Sequence, residues 1–150
     1  MFMVKTFGWL AFVLSSAAVA IAAEVKVDAY VTNSPEAERA SIFSPETHSF
    51  YAIFKAKGLS PGDKIRGVWI ADDVGDAAPP NFKIQETALT AQDVMLNAQF
   101  SLTKPGAWPR GDYHIEIYVN DALATKVKFS VKPLTKPKKQ PDAEEEESGD

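Results

Sequence analysis

Between residues 24 and 131, apolar side chains recur at every second position in short runs, separated by clusters of Gly, Pro, Asn and Asp. Val25, Val27, Ala29 and Val31 alternate with polar neighbours, the mark of a strand with one face buried. The same period predicts strands near 24–32, 49–57, 64–72, 82–88, 94–103, 112–120 and 123–131. LSPGD (59–63) and TKPGAWPRGD (103–112) carry the Gly/Pro punctuation that links antiparallel strands. Helical signal is confined to SPEAERA (34–40), where Ser34 can cap, Pro35 suits the first helical position and Glu36 the first turn. It predicts one or two turns. Seven short strands with no long amphipathic helix point to an antiparallel β-sandwich, and a small closed barrel is the alternative.

The last two strands can be registered from their pattern alone. A two-residue loop at Asn120-Asp121 pairs Val119 with Ala122 and sets Lys126 opposite Ile115, a charge on the apolar face. A loop over 120–122 instead pairs Val119 with Leu123, Ile117 with Thr125, Ile115 with Val127 and Tyr113 with Phe129. One face is then apolar throughout, so the three-residue loop is expected, with Asn or Asp accepting positive φ.

The two ends of the chain break this pattern. Lys5 precedes an apolar run from Phe7 to Ala23, and Ala20-Ile21-Ala22 fits the small-x-small rule for signal cleavage. Residues 1–22 are therefore expected to be a signal peptide, cut after Ala22 or after Ala23, which places the rest in the periplasm or outside the cell. Residues 132–150, with prolines, lysines and the acidic block Glu144–Glu147, carry one large aliphatic residue and are expected to stay a disordered tail. What remains, 23–131, is the length of one domain. It holds 11 Lys or Arg against 14 Asp or Glu, a balance of −3 with no basic stripe, which argues against a nucleic-acid partner. The absence of cysteine removes disulfides, thiolate catalysis and thiolate metal sites, so the core alone must hold the domain.

Two stretches resemble a known class. FSLTKPGAWPRGDYHIEIYVNDALATKVKFSV (100–131) is similar to the end of secreted bacterial domains of immunoglobulin or fibronectin type III character, in which a P-x-x-W-P-x-G-x-Y turn feeds a strand ending Y-V-N-G. KIRGVWIADD (64–73), with Trp69 in mid-strand, resembles the middle of such domains. The resemblance implies an immunoglobulin-like sandwich of about seven strands with Trp69 buried against the facing sheet, and no particular activity. Asp121 stands where that class usually has Gly.

Candidate chemistry is sparse. Arg110-Gly111-Asp112 is read as a turn: Gly111 supplies backbone freedom, Asp112 bonds local amides, and Tyr113 enters the core as a tyrosine-corner residue. Asp72, Asp73 and Asp76 flank Gly75 in the kind of oxygen-rich loop that Ca²⁺ favours, although the spacing is not that of an EF-hand. His48 and His114, the only imidazoles, lie on different strands, with His114 expected at the solvated surface beside Glu116. No G-x-S-x-G, phosphate-binding loop or H-E-x-x-H occurs, so no catalytic residue is expected.

A binding face is the stronger expectation. If Trp69 points inward, Val68 and Ile70 point outward beside Tyr118 and His114, either forming an apolar patch rimmed by Arg66, Glu116 and Lys128 or lying under a neighbouring segment such as 34–46. The partner expected there is another envelope or extracellular protein. The alternative is a Ca²⁺- or carbohydrate-dependent module using the loops at 72–76 and 105–110, with Trp108 stacking on a sugar.

Overall fold

The computed structural model describes residues 24–135. Within them run eight strands: β1 (Lys26–Thr32), β2 (Ile42–Phe43), β3 (Ser49–Lys57), β4 (Lys64–Asp73), β5 (Phe82–Thr90), β6 (Met95–Thr103), β7 (Gly111–Val119) and β8 (Ala122–Val131). They form a three-stranded sheet, ordered β1-β3-β6, and a five-stranded sheet, ordered β2-β8-β7-β4-β5. Every pairing is antiparallel except the two-residue β2–β8 contact. The domain is an all-β, immunoglobulin-like sandwich. The expected signal peptide and most of the expected tail lie outside the described residues.

Seven strands match the periodic runs; β2 carries too little sequence to show a period. It is held by its partners, because Ser130 N donates to Ser41 O and Lys132 N to Phe43 O. The expected helix over 34–40 does not form. Ala37 N donates to Ser34 O in a single turn, and Ser34 Oγ bonds Glu36 instead of capping. Ala40 N then donates to Val31 O, which draws the segment back onto β1 before a second turn can build.

The β7–β8 hairpin corrects the expected loop while keeping most of the register. Tyr113 pairs with Phe129, Ile115 with Val127 and Ile117 with Thr125; beyond a register shift, Tyr118 pairs with Leu123 and Val119 with Ala122. The loop is thus Asn120-Asp121, both at positive φ (47° and 67°), with Ala124 left over as a bulge. The bulge reconciles a two-residue turn with an apolar inner face. Asn120 also ties the hairpin to β4: its N donates to Lys64 O, and its Oδ1 accepts from Lys64 N.

The inner faces meet in an aromatic core. The Phe50 ring lies 4.8 Å from Trp108 and 4.9 Å from Phe129, centre to centre, while Phe54 stacks on Phe100 at 5.1 Å. Trp69, Ile65, Ile115, Ile117 and Leu102 are fully buried, each contributing about 1.5–3 kcal/mol of burial. Trp69 Nε1 has no hydrogen-bond partner among the described residues. Gly67 is required where Phe100 crosses β4, because a Cβ there would sit 2.5 Å from the ring. On one side of the sandwich Gln85 Nε2 donates to Ser101 O, joining the edges of the two sheets.

Candidate interaction face

The outward positions of β4, β7 and β8 share the outer surface of the five-stranded sheet. Pairing sets Arg66 beside Tyr118, Val68 beside Glu116 and Ile70 beside His114. On the far side of β7, Tyr118 faces Leu123, Glu116 faces Lys126 and His114 faces Lys128. Residues opposite one another on one face have Cβ atoms about 5 Å apart, so these side chains are neighbours on the surface.

The face differs from the expected one in two ways. Val68 is buried, at 5 % exposure, because long side chains flank it on both neighbouring strands: Glu116 on β7 and Glu86 on β5. Ile70 and Tyr118 stay partly open, and Leu123, at 55 %, is exposed at the β8 end of this surface, with Ile42 exposed on its β2 edge. His114 is the second difference: it is buried, at 3 %, not solvated. Its Nδ1 lies 2.6 Å from Asp72 Oδ1 and its Nε2 2.8 Å from Glu116 Oε1. Two carboxylates close over the ring edges, which alternation cannot reveal. The available signal was the H-x-E pair on β7 with an Asp two positions beyond Ile70 on β4.

The chain of contacts continues across the sheet. Tyr118 Oη donates to Glu116 Oε2, and the Arg66 guanidinium lies 4.2 Å over the Tyr118 ring. Arg66 also reaches Glu86 Oε1 at 3.0 Å and Asp121 Oδ1 at 3.4 Å, and Lys83 closes on Glu86 at 2.8 Å. Burial raises the Glu116 pKa, but hydrogen bonds from Tyr118 and His114 and the charges of His114 and Lys126 outweigh it, leaving the carboxyl below its usual range. The bond to Glu116, aided by partial burial, pushes Tyr118 up. Both nitrogens of His114 are committed to carboxylates, so the ring organises neighbours and has none left for proton transfer to a substrate.

The loops at 72–76 and 105–110 are built differently from the metal or sugar site considered above. Asp72 turns to His114, Asp73 Oδ1 accepts from Gly75 N in a local turn, and Asp76 sits in the 3₁₀ turn Gly75–Ala77. No group of three His, Cys, Asp or Glu able to hold a metal occurs among the described residues. Trp108 is buried, at 3 % exposure, with its backbone N on Pro45 O and its Nε1 on Thr47 O, so its ring is not free to stack on a sugar. Gly111 opens β7 at φ +148°, and Asp112 Oδ1 accepts from Ser130 Oγ. Tyr113 Oη donates to Pro109 O at 2.6 Å, four residues upstream, the geometry of a tyrosine corner. Burial pushes its phenol up to about 12.

With this geometry in view, no family model matches the chain, and no curated protein matches it. Solved structures match by shape. A β-glucosidase from Listeria innocua in complex with gluconolactone is similar with a TM-score of 0.52 at 11% identity, over 74% of this chain and 16% of that one. An immunoglobulin-like protein from Pseudomonas aeruginosa gives 0.49 at 15% identity, over 75% of this chain and 99% of that one. An alkylpurine DNA glycosylase from Pseudomonas fluorescens, bound to DNA containing an abasic site analog, gives 0.46 at 16% identity, over 74% of this chain. The chain spans 31% of that glycosylase. The likeness is one of fold. No helix among the described residues is long and apolar enough to cross a membrane.

Proposed function

We propose that this protein is a non-catalytic binding module, exported by its first 22 residues, that meets an envelope or extracellular protein through the outer face of the five-stranded sheet. The observation that carries this reading is the pre-assembled chain Asp72–His114–Glu116–Tyr118–Arg66–Glu86, which fixes six polar side chains across the sheet, with Ile70 beside His114 at one end and exposed Leu123 beside Tyr118 at the other. Side chains already held lose little freedom on binding, and Tyr and Arg are the residues that most often anchor interfaces. Lys126 and Lys128 on one flank and Glu86 on the other give the face both signs of charge, suited to orienting a partner.

Site-specific photo-crosslinking in cells tests this. A crosslinker at Leu123 should give one discrete adduct, absent when it replaces Gln99 on the other sheet, and lost when Tyr118→Ala is added. Adducts of equal yield from both sheets would sink the reading. Because Val68 is buried, a charge there would report on folding. Export is checked separately: the mature protein should begin at Ala23 or Glu24 when its N-terminus is sequenced.

A further inference from the structure

The strands that end the two sheets carry open backbone bonds, and one of them complements a second copy of itself. β1 ends the three-stranded sheet and pairs on one side only, with β3. Val31 O accepts from Ala40 N, so at every second position of β1, counted from Val31, the backbone N–H and C=O point away from β3. Those of Val27 and Ala29 have no backbone partner among the described residues. Both side chains are half-buried, which leaves an apolar margin along the same edge.

The charges on the outer face of β1 are also unmatched. Lys26 lies directly opposite Lys57 on β3, and like charges in that position repel. Asp28 follows two residues on, opposite Lys55. All four side chains are exposed, and neither Lys26 nor Asp28 forms an ion pair among the described residues.

Two copies of β1 set antiparallel about a two-fold axis through Val27 satisfy both features. Lys26 then faces Asp28 of the second copy and Asp28 faces its Lys26, so the repelled lysine gains an anion. Val27 exchanges backbone bonds with its own counterpart, and Ala29 does so with Val25 of the second copy. Glu24 falls opposite Tyr30 of the second copy, where the Arg39 guanidinium lies 5.3 Å over the ring. Other registers do worse. Centring on Lys26 or on Asp28 sets that charge against itself, and a slip by one residue turns the charges onto the apolar face. Centring on Ala29 needs the Val31 carbonyl, which Ala40 already holds, and centring on Val25 leaves most of β1 unpaired. The remaining edges lack the match. On β8, beyond the short β2, Lys126 would meet Lys128; β5 is broken by a register shift, and its Lys83 and Glu86 already pair with each other; β6 has no charge, and Gln85 occupies its Ser101 carbonyl.

From the open backbone bonds and the self-complementary charges we propose that the free edge of β1 binds a second copy of this chain. The contact joins two three-stranded sheets into one of six strands, ordered β6-β3-β1-β1-β3-β6. About five residues a side make an interface well below standard size, so the dimer is a weak one. The edge belongs to the other sheet from the proposed interaction face, and either can fail without the other.

Sedimentation of the mature chain between about 10 μM and 1 mM, at low salt, tests this. The chain should pass reversibly from monomer to dimer in that range, and dilution should move the amide signals of Val25, Val27 and Ala29 in its ¹⁵N NMR spectrum. Lys26→Asp and Asp28→Lys, both at exposed positions that spare the fold, should each weaken the dimer about tenfold, because attraction turns to repulsion at two places. The two variants mixed together should recover the original association, since every opposed pair is then of opposite sign. A monomer throughout the range, a dimer indifferent to both reversals, no recovery on mixing, or dilution shifts centred on another strand would each overturn the proposal.

Discussion

Gly111 shows how much one residue can decide. At φ +148° a Cβ would fall 2.0 Å from the Asp73 carbonyl oxygen and 2.9 Å from the Val74 Cα, both backbone atoms with little room to move. Gly111→Ala should therefore cost about 3 kcal/mol or more in urea unfolding, combining a disfavoured φ with displaced backbone. Two residues on, Tyr113 keeps its phenolic proton in the fold well above pH 10, where the unfolded chain loses it. Its contribution to stability is complete below pH 10 and is lost as pH rises through about 12. Tyr113→Phe should remove that alkaline loss from the pH dependence of Tm and cost about 1 kcal/mol at neutral pH for the missing hydrogen bond. Glu116 works with the opposite sign: held below its usual range, it stabilises above its unfolded pKa, and that help disappears as pH falls through the folded value. Glu116→Gln should flatten the acid limb of the same curve. Tyr113 was legible in the sequence because its ring belongs to the apolar alternation. His114 was not, because its burial comes from Asp72, 42 positions away in the chain.

At the level of elements, the β7–β8 hairpin separates what a pattern can and cannot specify. Alternation fixed three of its cross-strand pairs, because a slip by one residue would turn Lys126 inward. It could not fix the turn, since a two-residue loop with a bulge at Ala124 gives the same inner pairs as a three-residue loop without one. Asp121 holds φ +67° with a side chain, and its ion pair with Arg66 is long and exposed. Asp121→Gly should therefore raise stability by up to ~1 kcal/mol, measured as a shift in the urea midpoint at constant slope. Asn120→Ala should do the reverse, at about 2 kcal/mol, because Lys64 N and Asp63 Oδ1 lose their partner. The helix expected over 34–40 failed for a related reason. Its local capping signals were sound, but the Val31 carbonyl offered Ala40 a competing partner that no local window contains.

For the whole molecule, the sandwich was legible because two-sheet burial imposes period two on almost every strand. The candidate face was half legible. Its place followed from Trp69 pointing inward, but Val68 is covered by long neighbours that come from two other strands. The sheet orders carry one more consequence, concerning how the chain finds its fold. In the five-stranded sheet β4–β5 and β7–β8 are neighbours in sequence, whereas in the three-stranded sheet β3 pairs only with β1 and β6, each reached across an intervening strand or more. Closing those pairings spends loop entropy before any contact returns it, so folding should take milliseconds to seconds. The smaller sheet should be the last to assemble and the first to exchange its amide hydrogens.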